Sequence, residues 1–218
     1  MHPPLPITPG CRDELIDEFI YKIEEAAVPE LTHVSGKEAR VPAREKFYPV
    51  ESLRRIFSID DIKTILNHPC TNCAKHLGDN IAAHPSQYPA DTILRTNSTL
   101  GLFALLVLLR YPLLIGNFLV SYGVDSLPLP RYIYEFELRD VQFKHLPYRT
   151  KDQLVDAFQD HKWQFSVPRF TDGSFQTFEK GTILPYIDEE PIGEGGFSKV
   201  FKVWVHPYYC TFNSAQVG

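Results

Sequence analysis

Residues Ile192 to Val203, Ile-Gly-Glu-Gly-Gly-Phe-Ser-Lys-Val-Phe-Lys-Val, hold the densest group of glycines in the chain and have the composition of a phosphate-binding loop. Small residues let backbone N–H groups approach a phosphate closely, and such loops differ in what flanks them. A Walker-type loop needs G-x-x-x-x-G-K-[ST]. Here Ser198 stands at the last glycine and Val200 replaces the hydroxyl that would hold magnesium, so that template fails. A dinucleotide fingerprint opens a helix, whereas Lys199 to Val205 is a β-branched and aromatic run that predicts a strand. The remaining template is a strand, a glycine loop and a second strand folded over nucleotide phosphates, G-x-G-x-x-G-x-V. Gly193, Gly195 and Val200 match it, and Ser198 stands at the third glycine. Phe197 would sit at the loop tip and Val200 would cover the base, with Ile192 entering the loop. Glu194 and Gly196 fit without being demanded.

On these residues the stretch Leu184 to Pro207 resembles the opening of a eukaryotic protein kinase domain, and in particular that of kinase-like proteins from filamentous fungi. The resemblance has motif strength only over about residues 183–208, while 11–180 is similar in flavour to the helical regions that precede such domains. It implies serine/threonine phosphorylation using ATP and magnesium. It assigns Ile192, Gly193, Glu194, Gly195, Gly196, Phe197, Ser198 and Val200 to the nucleotide. The departures are as informative. A kinase needs a strand lysine for the α- and β-phosphates, a catalytic H-R-D with its downstream Asn, and a D-F-G for magnesium. After Val205 comes His-Pro-Tyr-Tyr-Cys-Thr-Phe-Asn-Ser-Ala-Gln-Val-Gly, which holds no lysine, and none of the other elements occurs. The expectation is a kinase-like domain cut short after its hairpin, with no catalytic residue, inactive by itself and unable to hold ATP against an adenine pocket that has no floor. The alternative is a non-catalytic protein-interaction module with a vestigial kinase tail, suggested by the apolar density of 98–123.

A second group with chemistry is His68-Pro-Cys70-Thr-Asn-Cys73-Ala-Lys-His76. Two thiols and two imidazoles match zinc's preferred donors, but no second C-x-x-C accompanies them. On a helix Cys70 and Cys73 would lie about 60° apart and His76 about 120° from Cys70, so one helix cannot supply a tetrahedral site. Cysteines half-buried against a helical layer are the expectation, with zinc at Cys70 and Cys73 as the alternative. No G-x-S-x-G is present, and neither Cys11 nor Cys210 has a local base. His2, His68, His84 and His206 each precede a proline and read as loop residues.

The elements that must carry these groups follow from periodicity. Arg12 to Ala27 has Leu15, Ile16, Phe19, Ile20 and Ile23 at helical spacing, with acids between, and Pro29 beyond its end. A helical block spans 50–67, within which Ser58 is placed to cap Ile59 onward. Two helices at about 98–110 and 112–123 are apolar nearly all round, which predicts burial inside a helical layer. The run Leu100 to Leu109 is about half the roughly 20 residues needed to cross a bilayer. The alternation in 131–140 leaves strand or short helix open, a helix is predicted over 150–163, and short β segments follow from Phe165.

The whole is read as α+β: a disordered proline-rich lead-in at 1–10, a helical region at 11–160, and a β segment at 161–218. A net charge of −5 over 218 residues argues against nucleic acid or an anionic membrane as the main partner. Four cysteines without a pairing framework and no signal peptide fit a cytoplasmic location.

Overall fold

The computed structural model describes residues 14–29, 46–67, 90–122, 151–171, 177–178, 181–194 and 199–211. The lead-in, the Cys70/Cys73 segment and the alternating stretch at 131–140 lie outside them.

Helix α1, Glu14–Glu25, carries acids in its first turn and buries Ile16, Phe19 and Ile23, which follow one another at helical spacing. It ends four residues before Pro29, and Val28–Pro29 (β1) pairs antiparallel with Lys46–Phe47 (β2), a pairing that periodicity does not announce. The block at 50–67 divides into α2, Val50–Ile56, and α3, Ile59–Leu66. The cap expected at Ser58 forms. Its hydroxyl accepts from the Asp61 N–H at 3.1 Å, and the Asp61 carboxylate accepts from the Ser58 N–H at 2.9 Å. Two orphan donors at the helix start are thereby satisfied reciprocally.

Then come α4, Ala90–Arg95, and α5, Asn97–Leu108, capped by the Thr96 hydroxyl accepting from the Thr99 N–H. A 3₁₀ turn at Pro112–Leu114 leads into α6, Ile115–Tyr122, and α7 spans Lys151–Phe165. Helix α5 is the centre of the fold. Residues from Leu100 to Val107 are buried on every side, because α1, α2, α4 and α7 all pack around it. An all-apolar surface on a twelve-residue helix has its physical reason there. Phe57, at the junction of α2 and α3, stacks on Phe19 with ring centroids 5.2 Å apart and meets Phe103 edge-on at 5.3 Å, tying three elements together.

Helix α5 ends in a Schellman turn: Tyr111 N–H donates to the Leu106 carbonyl and Arg110 N–H to that of Val107. Arg110 occupies the left-handed position, φ 69°, where glycine is usual, and its guanidinium pairs with Asp17 on α1.

The β segment expected from Phe165 begins later than predicted. Helix α7 continues through Phe165 because that ring is buried against Tyr48, 4.5 Å away, while the Tyr48 N–H donates to the Gln164 carbonyl at 2.9 Å. Residues 166–169 are irregular, and Phe170 makes only an isolated bridge to Cys210. The long strands are β3, Tyr186–Glu194, and β4, Lys199–Val205, paired antiparallel. The architecture is thus mixed helix and sheet, compatible with α+β. A small second apolar cluster, Phe47, Ile183 and Tyr209 with Val205 and Trp163 against it, joins the two halves of the chain. Among the described residues no helix is long and apolar enough to cross a membrane.

Candidate functional site

The glycine-rich stretch connects β3 to β4. Glu194 pairs with Lys199, leaving residues 195–198 as the connection, so Gly195, Gly196, Phe197 and Ser198 fall outside the described residues. Ile192, Gly193, Glu194 and Val200 are on the strands.

The register places the described members. Pro191 faces Phe201, and Gly193 rather than Ile192 faces Val200, so an extra residue is inserted at Ile192. By strand alternation Ile192 lies on the face opposite Pro191, the face shared by Val200, Lys202 and Trp204. The irregularity therefore sets Ile192 and Val200 side by side at the loop mouth. Both are exposed, at 63% and 52%. On the same face the Lys202 ammonium lies 4.5 Å from the centre of the Trp204 ring. The opposite face carries Phe201, Val203 and Val205, of which Val205 reaches the second apolar cluster.

At Gly193 a Cβ would meet nothing within 4 Å, and its φ is not in the left-handed range. Neither packing nor backbone conformation in this fold demands glycine there, unlike Gly181, whose φ is 102° and whose Cβ would come 3.3 Å from the Trp163 Nε1. The open side of Gly193 is room for another group to approach the β3 backbone. The hairpin is acidic along β3, with Asp188, Glu189, Glu190 and Glu194. Glu190 faces Lys202 and Glu194 faces Lys199 across the strands.

Cys70 and Cys73 lie outside the described residues, and among those described no group of three or more His, Cys, Asp or Glu could hold a metal. His206 is a loop residue with its partners in place. Its ring contacts Phe47, Tyr208 and Tyr209, its Nδ1 accepts from the Tyr208 N–H at 3.4 Å, and burial pushes its pKa below the usual value.

A second concavity was not legible in any motif. A cavity of about 420 Å³ opens between the start of α5, the end of α7, residues 166–169 and Tyr209. Trp163, Phe165 and Phe178 provide aromatic wall, Ser166, Thr177 and Thr182 carry hydroxyls, and Arg169 is among the lining residues. Tyr209 is fixed in the lining: its hydroxyl accepts from the Val50 N–H at 3.3 Å, and burial pushes its pKa up to about 12. None of the described side chains of β3 or β4 lines it. The only signal that could have found it is the aromatic and hydroxyl density of residues 163–182, which no spacing rule converts into a pocket.

No protein-family model matches the chain, and neither curated proteins nor solved structures give a significant match.

Proposed function

We propose that residues 186–205 are the nucleotide lid of a protein-kinase-like amino-terminal lobe, of the serine/threonine type that uses ATP and magnesium. The observation that carries this reading is the pair Ile192 and Val200, exposed side by side on one face at the mouth of a strand–loop–strand hairpin, beside an unobstructed Gly193. Aliphatic side chains at those positions would cover an adenine, and backbone amides of 194–197 would meet phosphates. Residues 1–218 by themselves do not transfer phosphate, because no lysine follows β4 and neither H-R-D nor D-F-G is present, so both metal-binding groups and the base are missing.

Sequencing the native transcript past the Gly218 codon tests the reading. An open frame running into a strand lysine, H-R-D and D-F-G is expected. A stop codon directly after Gly218 in an abundant, translated message overturns it. Purified residues 1–218 are expected to show no metal-dependent transfer of the ATP γ-phosphate above a mock purification.

A second reading, a non-catalytic protein-interaction module, is favoured by one observation. Phe201 and Trp204 are each 38% exposed on opposite faces of the same hairpin. A stable hetero-complex or dimer on gel filtration supports that reading.

A further inference from the structure

The cavity between α5, α7 and Tyr209 has a composition that selects its ligand. Its wall is aromatic on several sides, from Trp163, Phe165, Phe178 and Tyr209. Among the described residues that line it Arg169 is the one cation and none is a carboxylate, although the chain as a whole carries −5. The Arg169 charge is felt inside the cavity wall, since it acts on Tyr209; Glu51, beside Val50, acts on that phenol in the opposite sense. The hydroxyls of Thr177 and Thr182 can donate to an anion's oxygens at no charge penalty, while that of Ser166 donates to the Lys162 carbonyl. The cavity has a volume of about 420 Å³. That is the size of a one- or two-ring organic molecule, at the lower end of ordinary ligand pockets.

We propose that this cavity binds a small aromatic carboxylate, its ring against Trp163 and Phe178 and its acid group toward Arg169. The site does not depend on the kinase-like reading, because none of the described residues of 186–205 contributes to it. A guanidinium and a carboxylate form a charge-assisted, geometrically matched pair, whereas an amide of the same shape gains only a neutral hydrogen bond. The cavity therefore discriminates acid from amide, and the discrimination resides in Arg169, which is exposed enough to be replaced without disturbing the core.

The chain has two tryptophans, Trp163 and Trp204, so a ¹⁵N-labelled sample gives two indole N–H signals, assigned with Trp204→Phe. The probes are 1-naphthoate and 1-naphthamide. With the full chain, naphthoate is expected to shift the Trp163 signal saturably, with a Kd of about 1 mM or tighter, while the Trp204 signal stays in place. The amide is expected to bind about tenfold more weakly. Arg169→Gln should bring the two probes to similar affinity, and Thr182→Trp, which fills the cavity, should abolish binding of both. The proposal is overturned if the Trp163 signal of the unmodified chain does not move at several millimolar naphthoate. It is overturned equally if acid and amide bind alike, or if Arg169→Gln retains the preference.

Discussion

Phe57 is the residue on which the helical layer turns, and its removal has a calculable cost. It is 1% exposed, stacks on Phe19 and meets Phe103 edge-on, so it contacts α1 and α5 while joining α2 to α3. Phe57→Ala removes the ring from a site walled by helices that cannot close over it, and the transfer and cavity contributions together come to about 3–5 kcal/mol. Phe57→Leu keeps most of the volume and loses chiefly the two ring pairs, about 1–3 kcal/mol at about 0.5–1.5 each. The assay is urea unfolding followed by circular dichroism. With a slope of about 2–3 kcal/mol/M, the alanine variant should unfold about 1–2 M earlier at unchanged slope, and the leucine variant at an intermediate concentration. Phe201→Ala, on the hairpin and 38% exposed, is the control and should fall within about 1 kcal/mol of the unmodified chain. The reasoning is refuted if Phe57→Ala costs no more than Phe201→Ala, or if leucine at position 57 is as damaging as alanine.

Three further expectations concern single contacts. Ser58→Ala should destabilise by about 1 kcal/mol through loss of the α3 cap. The Ser58 hydroxyl, then its backbone N–H, hold the Asp61 carboxyl below its usual range. Stability from that pair is thus present above the ordinary carboxylate pKa and lost as pH falls through the folded one; acid titrations of the alanine variant should show a shallower loss. His206 behaves alike in sign but at higher pH. Burial depresses its folded pKa, so stability is full above the unfolded value of about 6.5 and declines as pH drops below it. His206→Asn, which can still accept from the Tyr208 N–H, should flatten the thermal midpoint between pH values of about 5 and 7. A midpoint that keeps its slope in this variant assigns the acid sensitivity elsewhere. Arg110→Gly should be no more than about 0.5 kcal/mol less stable than the unmodified chain, since relief of the left-handed backbone offsets the half-exposed pair with Asp17. Arg110→Val should cost at least about 1 kcal/mol by chemical unfolding.

How much of this was legible in the sequence depends on how far the physical cause reaches along the chain. The α1 stripe, the Ser58 cap and the burial of α5 all rest on residues within a turn or two of one another, and each is where the sequence places it. The hairpin strand at 199–205 follows from its own β-branched and aromatic content, whereas 186–194, rich in acids and interrupted by Pro191 and Gly193, is legible only from the loop motif it enters. What escaped has distant causes. Helix α7 outruns its predicted end because Phe165 finds Tyr48, more than a hundred residues earlier. The pairing of Val28–Pro29 with Lys46–Phe47 involves strands too short to show a period. The Schellman turn at Arg110 is hidden because an arginine stands where the signal residue is glycine. The cavity draws on five separate stretches of chain, and only the fold brings Val50, Asn97, Trp163, Thr182 and Tyr209 together.

The two candidate sites differ in how they are tied to stability, and that difference makes them separable. Apart from Val205, no residue of β3 or β4 belongs to either apolar cluster, and Ile192, Val200 and Phe201 are open to solvent. Changes at the hairpin should therefore alter what it touches without moving the unfolding transition. The cavity is walled by Phe165 and Tyr209, whose burial helps hold residues 166–171 and 207–211 against α2 and α7. A ligand that fills it should raise the unfolding midpoint with its concentration, since it binds the folded chain alone. A nucleotide held only by an exposed two-stranded hairpin has little folded surface to stabilise, so ATP should leave the midpoint of residues 1–218 where it is. Thermal shifts in the presence of naphthoate and of ATP thus bear on the two sites independently. A shift with ATP that survives removal of the Ile192 and Val200 side chains would place nucleotide in the cavity and not under the lid.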